Sequence, residues 1–95
     1  MKKFIKLSYE MWNNWEIKNL SHSGLKILIE LLFLRYKFNN DSFFQSSDEI
    51  FQNFNVSRMS WHRVQDELRS LHIQITYTNK KYEFDLSDFI ELYDG

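Results

Sequence analysis

The sequence predicts an α+β domain with a helical core and a C-terminal β-hairpin, and three observations carry that expectation. Residues 22–38 place Leu25, Leu28, Leu32 and Tyr36 on one stripe, Ile27, Leu31, Leu34 and Phe38 on a second, and Ile29 and Phe33 on a third, all at helical spacing. Residues 58–71 set Trp61, Val64, Leu68 and Leu71 at spacings of 3, 4 and 3, the single inward stripe of an amphipathic helix. Ile73, Ile75 and Tyr77 then alternate with Gln74, Thr76 and Thr78. Beyond a turn at Asn79-Lys80-Lys81, Tyr82, Phe84 and Leu86 alternate with Glu83 and Asp85. That period of two is the signature of a half-buried hairpin.

Taken in order, Phe4-Ile5-Lys6-Leu7 is expected to form a short N-terminal edge strand. Ser8 caps a short helix carrying Tyr9, Met11, Trp12 and Trp15, with both tryptophans packed on the long helix. Ser21 caps that long helix. Being apolar on three sides, it is expected to be buried on several sides or shared with a second copy in a homodimer. Asn39-Asn40-Asp41 ends it in a turn. Phe43-Phe44 forms a one-rung strand against the hairpin. Ser46 with Glu49 makes a capping box for the next helix, whose buried face is Ile50, Phe51 and Phe54. A tight turn at Asn55-Val56 leads to Ser57, the cap of the following helix. His72 stands where glycine commonly ends a helix, in a left-handed conformation that histidine tolerates better than most residues. Ser87 caps a last acidic helix, 88–93. The chain of 95 residues is thus one domain, 1–95, with a helix-turn-helix at about 46–71, a hairpin at about 73–86 and an acidic C-terminal helix over 87–95.

Composition bounds the function. The chain is 43% hydrophobic and 18% aromatic, enough apolar surface for a core. It has no cysteine, which excludes disulfides and thiolate metal sites. The longest apolar stretch, 27–34, is broken by Glu30 and is too short to span a membrane. No signal-like segment follows Met1-Lys2-Lys3, so a cytoplasmic protein is expected. Alanine and proline are absent and only two glycines occur, while Lys, Asn, Ile, Phe and Tyr abound, the usage of an AT-rich genome. The net charge is −1, but it is unevenly spread: +2 over 1–20, −1 over 21–57, +3 over 58–81 and −5 over 82–95. The positive segment coincides with the second helix and the hairpin.

Outside the inward stripe of the 58–71 helix fall Arg58, Ser60, His62, Arg63, Gln65 and Arg69, side chains suited to base edges and phosphates. Exposed Met59 is open between a packing and an interface role. The plainer reading is a solvated helix face on which Arg63 pairs with Glu67, four residues on. Thr78, Asn79, Lys80 and Lys81 at the hairpin tip suit phosphate or minor-groove contact. Ser46 and Ser47, at a helix N-terminus, are expected to add a phosphate contact. Trp61 lies in the core stripe and is expected to be structural. Catalytic, cofactor and metal sites are not expected: Gly24 and Gly95 make no phosphate loop, and His22, His62 and His72 have no ligand spacing.

Over residues 57–73 the chain resembles winged helix-turn-helix proteins. That family's second helix commonly begins Ser-Arg, continues with a small hydroxyl and an apolar residue, and runs to a leucine before a short wing; here these are Ser57, Arg58, Ser60, Trp61, Val64 and Leu68. The N-terminal Phe4-Ile5-Lys6-Leu7, followed by Leu20-Ser21 and a long apolar helix, is similar to winged-helix domains of plasmid and phage replication and transfer proteins. Two positions depart from the pattern: Trp61 is larger than the usual residue, and His72 replaces glycine. The resemblance implies a binder of double-stranded DNA with some sequence preference. It also implies an accessory role, marking a plasmid or phage origin of transfer or replication for a larger enzyme such as a relaxase or replication protein. A chain that stops with the domain is expected to carry no relaxase, helicase or nuclease of its own. Transcriptional repression fits the same fold. The alternatives are a protein-interaction module, favoured by the net charge and the acidic 82–95 segment, and single-strand binding through exposed aromatics.

Overall fold

The structure, a computed structural model, describes residue 11 and residues 13–93. The expected strand at Phe4-Ile5-Lys6-Leu7, the Ser8 cap and Trp12 lie outside the described residues. Within them the chain is a mixed α+β domain of five helices and a three-stranded antiparallel sheet. The order is α1 (Trp15–Lys18), α2 (His22–Phe38), β1 (Ser42–Ser46), α3 (Ser47–Asn53), α4 (Arg58–Ser70), β2 (Gln74–Thr78), β3 (Lys81–Asp85) and α5 (Ser87–Tyr93). None of the helices among the described residues is long and apolar enough to cross a membrane.

Local signals place the helix ends. The Ser21 side chain accepts from the Gly24 N–H at the start of α2, the Ser46–Glu49 capping box opens α3, and the Ser57 side chain accepts from the Ser60 N–H to open α4. Three ends use a left-handed residue: Asn39 after α2 (φ 52°), Asn55 after α3 (φ 50°) and His72 after α4 (φ 66°). At His72 the closure is a Schellman motif. The Ile73 N–H donates to the Leu68 carbonyl at 3.2 Å and the His72 N–H to the Arg69 carbonyl at 3.0 Å. The last helix departs from expectation. Asp85 accepts from both the N–H and the hydroxyl of Ser87, so the carboxylate is the capping group and Ser87 is its donor.

The sheet runs β1-β3-β2, with β3 central. β1 is longer than the single rung expected: five residues pair antiparallel with β3, from Ser42 opposite Asp85 to Ser46 opposite Lys81. Phe43 and Phe44 were the only legible part because Ser42, Gln45 and Ser46 are weak strand formers. Their strand conformation is imposed by pairing with β3. Phe43 faces the core and meets Phe84, its register partner, with ring centroids 5.8 Å apart. The hairpin turn is also tighter than expected. Asn79 (φ 53°) and Lys80 (φ 62°) form a two-residue loop, and Lys81 already belongs to β3, opposite Thr78.

The core lies between α2, α4 and the sheet. Ile27, Leu28, Leu31 and Leu32 of α2 meet Val64, Leu68 and Leu71 from the α4 segment and Phe84 of β3, all buried. Trp61 sits at the centre, 1% exposed, with ring centroids 5.4 Å from Tyr82, 6.1 Å from Phe84 and 6.3 Å from Phe54. Its large side chain therefore joins α3, α4 and β3 in one aromatic cluster. One expectation fails here: Trp15 is 75% exposed instead of packed. The long helix α2 is buried on several sides, through Ile27, Leu28, Leu31, Leu32 and Leu34, while Ile29, Tyr36 and Phe38 remain at the surface. One domain of this size offers too few elements to cover every side of a 17-residue helix.

Candidate nucleic-acid interface

The nominated site residues fall into four groups. The first gathers around a cleft where α3 and α4 meet the hairpin. A hydrogen bond holds this junction: the Ser47 N–H donates to the Lys80 carbonyl at 3.1 Å, and the Ser47 hydroxyl lies 3.3 Å from the same oxygen. The start of α3 is thereby tied to the hairpin tip. Ser47, Arg58, His62 and Lys80 line the resulting cleft of about 300 Å³, together with Phe51 and Tyr77 over a floor of Trp61 and Tyr82. The Arg58 guanidinium lies over the Phe51 ring, 5.5 Å from its centroid. The Tyr77 ring lies against Tyr82, tilted by 39°, with centroids 4.5 Å apart.

A second group faces outward. Met59 and Arg63, four apart and exposed, share the outer side of α4 with Asp66, and Ser60 is half-buried at its flank. Asp66 puts a negative charge towards the C-terminal half, so the N-terminal half of α4 is the end suited to an anionic partner. A third group lies on the other face of the sheet: strand alternation sends Thr78 and Lys81 away from Tyr77 and Tyr82. Lys81 there adjoins Glu49. The carboxyl of Glu49 is held below its ordinary range by hydrogen bonds from the Ser46 N–H and hydroxyl, and further by Lys81 and Lys37. Asn79, at the tip, is exposed.

The fourth group is engaged elsewhere. Gln65 is 7% exposed and cannot present its amide to a ligand. It lies four residues after Trp61 and three before Leu68, which places it on the buried side. Arg69 donates from Nη2 to the Ile75 carbonyl at 3.1 Å and fastens α4 to β2. Ser46 is occupied in the capping box, where the Glu49 carboxylate already fills the helix terminus and would repel a phosphate. The Arg63–Glu67 pair does not form. Glu67 instead accepts from the Ser21 N–H at 2.8 Å and the Ser21 hydroxyl at 2.7 Å.

Among the described residues the one ion pair is Arg35–Asp41, so Arg58, Arg63 and Lys80 stand without a carboxylate in contact, while Lys81 has Glu49 nearby. Tyr77 and Phe51, expected on buried faces from the sequence, also line the cleft. A signal existed for Tyr77: it is the last inward position before the turn, beyond the edge of the core. Lys80 is also unusual in conformation. A left-handed turn position favours glycine or asparagine, so a lysine there places a charge at a backbone cost of about 1–2 kcal/mol. No three His, Asp or Glu side chains gather into a metal-holding group among the described residues. Comparison with protein-family models, with curated proteins and with solved structures finds no significant match.

Proposed function

We propose that this chain binds double-stranded DNA with sequence preference, as a winged helix-turn-helix domain of the cytoplasm. The observation that supports the reading best is the Ser47–Lys80 junction, which holds Arg58, His62 and Lys80 around one cleft with no carboxylate among its described lining residues. In this reading the N-terminal half of α4 enters the major groove, with Arg63 reading a base edge and Met59 against a thymine methyl. Lys80, Asn79 and Lys81 contact backbone or minor groove. The biological role we attach to it is that of an accessory factor marking a plasmid or phage origin for a larger relaxase or replication protein. Repression of transcription would use the same contacts. Ile29 and Tyr36, seven residues apart and exposed on α2, support an extension to paired copies; light scattering that gives a monomer at high concentration would remove that extension.

The test is fluorescence anisotropy with duplex and single-stranded fragments of the DNA flanking the gene, at two salt concentrations. Tight binding to one duplex fragment, weakening steeply with salt, is the expected result, because each phosphate contact releases counterions. Absence of binding to every fragment at low salt would sink the reading. The acidic α5 surface would then become the candidate protein-interaction face.

A further inference from the structure

The cleft between α4 and the hairpin differs from three other hollows among the described residues. The hollow beside Arg69 is lined also by Asp88, and that beside Arg35 also by Asp41, so each would repel a phosphate. The pocket beside His22 and Lys26 is smaller, about 160 Å³, and its one aromatic wall is Phe54. Among the described residues that line it, the cleft at Ser47 combines aromatic walls, two cations and no acid. Its walls are held in place. The Arg58 guanidinium lies over the Phe51 ring, 5.5 Å from its centroid, and the Tyr77 ring rests at a tilt against Tyr82, with the Ser47 hydroxyl at 3.5 Å from the Tyr77 hydroxyl. Tyr77 nevertheless keeps 53% of its surface exposed.

A flat π-surface beside a guanidinium plane, with positive charge at the rim, is the chemistry of a stacked base whose phosphate stays outside. We infer that this cleft receives a single unpaired nucleobase, between Tyr77 and Arg58, with its phosphate at Lys80. The inference rests on the DNA-binding reading and deepens it: the protein would favour duplex that carries an unstacked nucleotide, as at a melted or bulged site, over fully paired duplex. An apolar peptide side chain fits less well, because two cations with no carboxylate among the described lining residues select for an anion.

The experiment uses the full chain and a short duplex, at low salt, with and without one unpaired fluorescent adenine analogue. Wild type is expected to bind the bulged duplex roughly tenfold more tightly than the paired one and to change the analogue's fluorescence as it stacks. Tyr77→Ala should abolish that preference, bringing the ratio of bulged to paired affinity to about one. Tyr77→Leu, which fills the space without a π-face, should do the same if the alanine variant folds poorly by circular dichroism, and Tyr77→Phe should keep the preference. Equal affinity for bulged and paired duplex would overturn the inference and leave the DNA-binding reading standing. A preference that survives both Tyr77→Ala and Tyr77→Leu would overturn the assignment to this cleft. Failure to bind either duplex would remove both.

Discussion

Gly24 and Glu67 are in register across the α2–α4 contact so closely that a Cβ at Gly24 would stand 2.6 Å from Glu67 Oε2. The carboxylate uses that space to reach the start of α2, where it accepts from the N–H and hydroxyl of Ser21, while Ser21 Oγ accepts from the Gly24 N–H. A negative group at this helix terminus is also favoured by the helix dipole. One missing side chain thus lets a long-range clamp form between residues 46 apart.

That clamp predicts a sign reversal. Gly→Ala in a helix ordinarily stabilises by about 1 kcal/mol. Here Gly24→Ala should give no gain or a net loss, because Glu67 must withdraw and leave the Ser21 N–H unpaired at a cost of about 1–3 kcal/mol. In a Glu67→Ala background the same Gly24→Ala change should stabilise. Urea unfolding of the four proteins in this cycle measures the coupling, and additive effects would refute the clamp.

Lys80 and His72 both occupy left-handed backbone, but only Lys80 faces the cleft. Lys80→Gly and His72→Gly should each raise stability by about 1 kcal/mol through relief of that conformation. Lys80→Gly alone should also weaken DNA binding and lower the salt slope by about one unit. Thermal unfolding with anisotropy at several salt concentrations separates the two effects; equal loss of binding in both variants would contradict the placement of the site.

Arg63 and Gln65, two residues apart, should behave oppositely. Arg63→Ala is expected to cost about 1–3 kcal/mol of binding and to relax sequence preference at one base pair, with unfolding unchanged. Gln65→Ala, at a buried position, should shift the unfolding midpoint and leave base preference as it was. A competition assay against single-base variants of the site, beside a urea titration, distinguishes them.

The C-terminal helix carries a pH signature. Burial, then the hydrogen bond to Glu16 and its charge, push the Tyr93 hydroxyl up to about 12 from an ordinary 10.0. The folded-state value lies above the unfolded one, so this contribution to stability is full below pH 10.0 and is lost as pH rises towards about 12. Tyr93→Phe should flatten the alkaline fall in unfolding midpoint across that window. An identical fall in both proteins would show that the Tyr93–Glu16 contact adds nothing.

The features legible in the chain were those written over a few residues. Ser46 with Glu49, Ser57, Asn39, His72 and the 61-64-68-71 stripe each act through hydrogen bonds or periodicity within two turns, so they need no knowledge of the rest of the fold. Tertiary structure decided the remainder, because it rests on partners distant in sequence. Pairing with β3 made a five-residue strand of β1, and Ser21 took Glu67 away from Arg63. The position of α4 against the core buried Gln65 while leaving Arg63 exposed. Ser47 met Lys80, 33 residues on, and so turned residues read as a helix cap, an inward strand position and a surface turn into the walls of one cleft. Local sequence determines which element forms and where it stops; which of its side chains remain free to meet a partner depends on what the other elements cover.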